Sequence, residues 1–222
     1  MNTSGGIASG DRLNSTFDIG AGAHATVASQ AAERYYRAAA GGGSALVRTR
    51  ISVGDIAAAE WLPQETILFD GCAMERSLDV ELSASSWFVG VEALVFGRAA
   101  MGERVRAGRI CDIIRVRRAD RLVWYDAVRL DGEIDVLLRR PAVANGARAV
   151  ASLVHVAPDA ERRVEAVRIA LNGSPAESGV SAWDGILVAR LLAAGGAPLR
   201  RAVTAALGAL RGNRPLPRVW LC

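Results

Sequence analysis

From residue 13 to about residue 140, apolar and polar side chains alternate with a period close to two. Ala25, Val27 and Ser29 interleave with Thr26, Ala28 and Gln30, and residues 46–53 alternate again. Apolar and β-branched residues recur between glycine or Asp/Ser turns, which predicts short strands. The strands also echo at a distance. Ile19-Gly20 returns as Val53-Gly54, and Gln30 returns as Gln64 at the same spacing. Leu82-Ser83 opens a similar lap, a little sooner after Val53. An irregular period near thirty, all strand, predicts stacked coils of a β-solenoid or a repeating sandwich. Past Arg139-Arg140-Pro141 the texture changes. Asp159 is placed to cap a helix over residues 160–171, stopped by Asn172-Gly173. A second amphipathic helix is expected over residues 198–210, with Pro198 in its first turn and Gly212 past its end. Residues 186–192 read as a strand between them. The expectation is a single domain over residues 1–222, mainly β, with a β-rich stack over 1–140 and a mixed helix and strand closing part over 141–222.

The stretch 60–71, EWLPQETILFDG, interrupts the alternation in a specific way. Pro63 fixes φ and lacks a backbone donor, so it suits a corner between strands and not a central ladder. Gln64 and Glu65 bring polar groups to the bend, and Asp70-Gly71 supplies a tight turn. Upstream, residues 2–11 read NTSGGIASGD. With no phosphate-binding fingerprint, no lysine and no following helix, this reads as a turn that lets backbones approach closely. Asp11 is its one ionisable group.

Composition narrows the class. Of 222 residues, 51% are hydrophobic and 23% charged, which is globular and not disordered. No apolar run is long enough to span a bilayer and no signal peptide opens the chain, so a cytoplasmic protein with no membrane partner is expected. All 27 basic residues are arginine, and the net charge is +4. Aromatics are only 5%, and the cluster Arg115, Arg117, Arg118 comes with no nucleic-acid motif, so nucleic acid is not expected as a partner. Cys72, Cys111 and Cys222 are odd in number and widely spaced, against a disulfide framework. His24 and His155 stand far apart with no metal-ligand or triad spacing, and read as strand residues.

Three carboxylates stand inside apolar strands: Glu60, Glu92 and Asp126. A buried unpaired charge is expensive, so each either faces solvent, the simpler reading, or lines a polar channel or interface able to attract cations. Glu103 and Asp112, amid arginines, are expected as surface ion pairs. The tail, residues 214–222, is stiffened by proline and ends apolar, so it is expected to dock on its own domain or on a partner, with Arg218 and Trp220 as candidate contacts.

Six segments resemble, in order along the whole chain, the UreD/UreH family of urease accessory proteins: SGGIASGD (4–11), SQAAERYYR (29–37), EWLPQETILFDG (60–71), EALVFGRAAMGE (92–103), LVWYDAVRLDG (122–132) and PLPRVWLC (215–222). The resemblance implies a two-sheet, right-handed β-helix-like stack with a small helical part, and a non-enzymatic scaffold in urease maturation. It implies binding to UreF, through it to the GTPase UreG, and to apo-urease subunits. It implies no tightly bound cofactor, only transient nickel(II) guided along an internal channel. Asp11, Glu60, Glu92 and Asp126 match carboxylate positions of the family motifs and become candidates for that route. Oxygen ligands suit transit, since soft His and Cys ligands would hold nickel tightly. Two departures are visible: Ser9 stands where the family usually carries glycine, and the family pattern usually begins several strands earlier, so missing N-terminal strands are expected. A carboxylate-using glycosidase built on Glu60 and Glu92 and a generic β scaffold are the competing expectations.

Overall fold

A computed structural model describes residues 5–212 and 214–221. Cys222 and the first residues of the glycine-rich stretch, 2–4, lie outside the described residues.

The chain is mainly β. Its first part runs β1 (Arg12–Ile19), β2 (His24–Val27), β3 (Glu33–Tyr35), β4 (Ala45–Val53), β5 (Ala58–Trp61), β6 (Thr66–Leu68), β7 (Ala73–Leu82), β8 (Trp87–Phe96), β9 (Gly108–Arg118) and β10 (Arg121–Gly132). These strands are shared between two sheets. One has the order β1-β4-β7-β9-β10, parallel as far as β9 and closed by the antiparallel β10. In the other, β2, β5 and β8 pair in parallel, and β3 and β6 extend the same face.

The registers are the echoes in the sequence. Ile19 pairs with Val53, and Val53 in turn pairs with Leu82. The laps are unequal, and the last is the longest, since Arg76 pairs with Asp112 across 36 residues. Pro63 sits at the corner between β5 and β6, where it withholds no ladder hydrogen bond.

The closing part adds three strands and a helical layer. β11 (Ala149–Val156), β12 (Glu177–Trp183) and β13 (Ile186–Ala193) continue the second sheet beyond β8 in the order β12-β13-β11-β8, all antiparallel. α2 (Val164–Leu171) and α3 (Gly196–Leu210) pack on its outer face, burying Val167, Leu171, Leu199, Val203 and Leu207 against Val89, Val91 and Leu153. Two further apolar clusters fill the space between the sheets. One is centred on Ile51, Val80, Phe88, Val116 and Val154, the other on Met74, Leu94, Phe96, Ile110 and Leu130.

Several expectations need correction. The strand pattern does not run to residue 140: α1 (Ile134–Arg139) is a helix, with Ile134 and Leu138 buried one turn apart and Asp135 paired with Arg139. Six residues are too few for periodicity to separate helix from strand. The helix expected over 160–171 starts as a 3₁₀ turn, and Asp159 makes no side-chain cap. α3 begins two residues before Pro198.

Candidate functional site

The alternation along β5 sends the motif's first two residues to opposite faces. Glu60 pairs in register with Val89 and faces the helical layer, whereas Trp61 pairs with Gly90 and faces the space between the sheets. Trp61 Nε1–H there donates to Glu92 Oε1 at 2.7 Å. Glu92 belongs to a band of polar side chains that crosses the protein between the two inter-sheet apolar clusters. Arg76 and Asp112 are direct neighbours in one sheet; Glu92, Ser152 and Arg190 stand side by side in the other.

Arg76 is the hub of this belt. Its Nε and Nη2 donate to the two oxygens of Asp112 at 2.9 and 2.6 Å, a forked pair. Its Nη1 donates to Thr66 Oγ1 at 2.8 Å and lies 2.8 Å from Glu92 Oε2. That second contact is an ion pair without hydrogen-bond alignment, so Glu92 Oε2 is buried with no hydrogen bond of its own. At the far end Asp126 is buried and paired with Arg190, whose side chain reaches solvent. A cavity of about 10 Å³ lies among Glu92, Asp112, Asp126 and Ser152, close to the smallest space that holds one water.

Burial pushes the Glu92 carboxyl up to about 7; the nearby Asp112 charge adds to this, while Arg76 and the Trp61 indole oppose it. Burial weakens the hold of Arg76 on its proton, but the charges of Asp112 and Glu92 outweigh it and keep the guanidinium more firmly protonated than usual. Burial also raises the neighbouring Tyr35 hydroxyl. The belt thus offers hard oxygen donors around a resident guanidinium. Neither histidine belongs to it, and among the described residues no three His, Cys, Asp or Glu side chains converge as a metal site.

Glu60 serves a different structure. Its Oε1 accepts from Arg211 Nε at 3.0 Å and Arg214 Nη2 at 2.9 Å, and its Oε2 accepts from Arg211 Nη2 at 2.9 Å and Thr26 Oγ1 at 2.6 Å. Burial favours protonation, but the bonds from Arg211 and Thr26 and the charges of Arg211 and Arg214 hold the carboxyl below the usual range. The rest of the motif grips the same tail. Leu62 O accepts from Trp220 Nε1, and Gln64 Nε2 donates to Val219 O at 2.8 Å. Arg200 of α3 spans Glu65 and Trp220 O. Trp220 is therefore buried and anchors the tail on the strands of its own chain, while Arg218 is exposed.

The remaining candidates stand apart. Asp11 is exposed, and its Oδ2 accepts from Ala8 N–H, closing the glycine-rich turn. That turn does bring backbones together: a Cβ on Gly6 would lie 2.9 Å from Arg34 O. Ser9 fits without a left-handed conformation and donates to Gly43 O. Asp112, expected at the surface, is in the belt, while Glu103 does form an ion pair at the surface with Arg98. Asp70, read only as a turn residue, accepts from Arg106 and Ala107 N–H and pairs with Arg37; these bonds outweigh burial and lower its carboxyl. His24 and His155 are strand residues, and both pack edgewise on Trp87, at 5.1 and 6.2 Å between ring centroids. Glu60 and Glu92, facing opposite sides of one sheet, cannot flank a single bond.

The chain matches the family described as UreD urease accessory protein over residues 1–221. A protein named urease accessory protein UreD from Methylobacterium sp. (strain 4-46) is 49% identical, the match covering 99% of this chain and 79% of that protein. One of the same name from Xanthobacter autotrophicus is 47% identical, covering 99% and 75%. Another, from Rhodopseudomonas palustris, is 43% identical over 100% and 78%. By this full-length match, the chain belongs to the UreD family of urease accessory proteins.

Proposed function

We propose that this chain acts in the maturation of urease as a non-catalytic cytoplasmic scaffold, bridging apo-urease and the UreF–UreG complex, with nickel(II) as cargo passing along the polar belt. Family membership and the names of the relatives support the role in urease maturation. The unequal parallel laps, shared between two sheets, support a β-helix-like stack as the frame that holds the belt. The observation that carries the nickel path is the row of buried carboxylates Asp112, Glu92 and Asp126, with the largely covered Arg76 among them, between two apolar clusters where hydrophobic packing would be the simpler solution. Glu60 and Asp11 are left out of the path: the first fastens the tail and the second closes a turn.

The test is nickel-dependent urease activity in a strain lacking its own UreD, complemented with this chain or its variants. Asp112→Asn and Asp126→Asn are expected to depress activation while co-purification with UreF and apo-urease persists; Asp11→Ala is expected to leave activation intact. Full activation by both belt variants would remove the path, and loss of co-purification by the wild-type chain would remove the scaffold.

A further inference from the structure

The belt has a cation in it already. Arg76 enters from β7, leaves only 11% of its side chain exposed, and spends three donor atoms on Asp112 and Thr66. The distribution is uneven. One donor goes to a neutral hydroxyl, while the buried Glu92 Oε2 beside it accepts no hydrogen bond. The charges are uneven too: Arg190 balances Asp126, but among the described residues Arg76 alone is paired with both Glu92 and Asp112. An ion pair evolved only for stability would close both defects, because an unsatisfied buried oxygen costs more than a bond gains. The adjoining cavity, about 10 Å³, has no room for a hydrated ion beside the guanidinium. Any cation that uses these carboxylates must take the place of Arg76 and cannot join it.

We propose that Arg76 is the belt's exchangeable plug: its guanidinium holds, between Glu92 and Asp112, the place of a divalent cation, and metal enters only as it swings aside. This rests on reading the belt as a metal path. To clear the place, the guanidinium must release both its fork on Asp112 and the Nη1 contact that it shares between Thr66 and Glu92.

The experiment uses the purified full chain, with nickel(II) chloride as probe and magnesium chloride as charge control, read by thermal unfolding. Arg76→Gln leaves the two carboxylates without their cation, so nickel is expected to raise its midpoint by about 5 °C or more at saturating concentration. Wild type and Arg76→Lys, which retain a cation, are expected to shift by less than about 1 °C on the same scale. Adding Asp112→Asn to Arg76→Gln is expected to abolish the response. If Arg76→Gln is unfolded without metal, refolding with and without nickel reads the same property, and nickel-dependent recovery supports the plug. No nickel response or recovery in Arg76→Gln, or an equal shift in wild type, overturns it. Failure of the path reading looks different: urease activation would then be indifferent to Asp112→Asn even though Arg76→Gln binds nickel.

Discussion

Glu60 and Glu92 are buried carboxylates on neighbouring strands of one sheet, a lap apart, and they are driven in opposite directions. Glu60 collects four donor atoms, from Thr26, Arg211 and Arg214, and its carboxyl falls below the usual range. Glu92 has one indole N–H and a share in a guanidinium committed to Asp112, and its carboxyl rises to about 7. Burial is the largest influence on both, so the donor count decides the outcome. A saturated carboxylate is a rivet; an undersupplied one is open to exchange. The first holds the tail to the body, and the second lies where cargo is proposed to pass.

That contrast can be broken most severely from the tail side. Arg211→Met removes one partner of a buried pair and should cost about 3–5 kcal/mol, measured as a lower urea midpoint. Trp220→Ala empties the site under Leu62 and should cost about 3 kcal/mol, with faster proteolysis of the last residues. Glu60→Gln keeps the shape but loses the charge-assisted bonds, and about 2 kcal/mol is expected. Glu92→Gln is the smallest change: below about 1 kcal/mol at pH 7, because it removes a desolvated charge that is poorly supplied with donors.

The pH dependence separates the two carboxylates by sign. Folded Glu60 and Asp70 sit below their unfolded values, so their contribution is complete above about pH 4.5 and is lost as pH falls below it. Folded Glu92 keeps a proton that the unfolded chain releases, so its contribution is present in acid and lost as pH rises toward about 7. Wild-type stability measured by urea titration should therefore lose ground between about pH 4.5 and 7 relative to Glu92→Gln. Parallel curves for the two proteins would mean that Glu92 titrates normally.

Much of the frame was legible. The repeat of Ile19, Val53 and Leu82 is the strand register itself, because parallel neighbours one lap apart must place equivalent residues side by side. The belt was legible in principle. Arg76 shares the phase of Met74, Leu78 and Val80, and Asp112 that of Ile110 and Ile114, so both stand where an alternating strand points inward. Their flanking charges invite a surface reading instead. In β8 the apolar run is nearly continuous, as in a strand covered on both faces, and such a strand gives Glu92 no solvent side to choose. The tail's seat could not be read at all, since Trp220 meets Leu62 across 158 residues with no pattern connecting them. Likewise, nothing local marks Asp70 as the acceptor for Arg106 and Ala107, one lap later.

The lap length also governs how the chain finds its shape. Each parallel contact joins residues about 34, 29 or 36 positions apart, so no neighbouring pair of these parallel strands can form before the chain between them has been made. Among the described strands up to residue 132, the β9–β10 hairpin alone is local. Such topology makes for slow folding, in the millisecond-to-second regime, with strands that expose unpaired edges while they wait for the next. A protein so assembled is most vulnerable during its own synthesis.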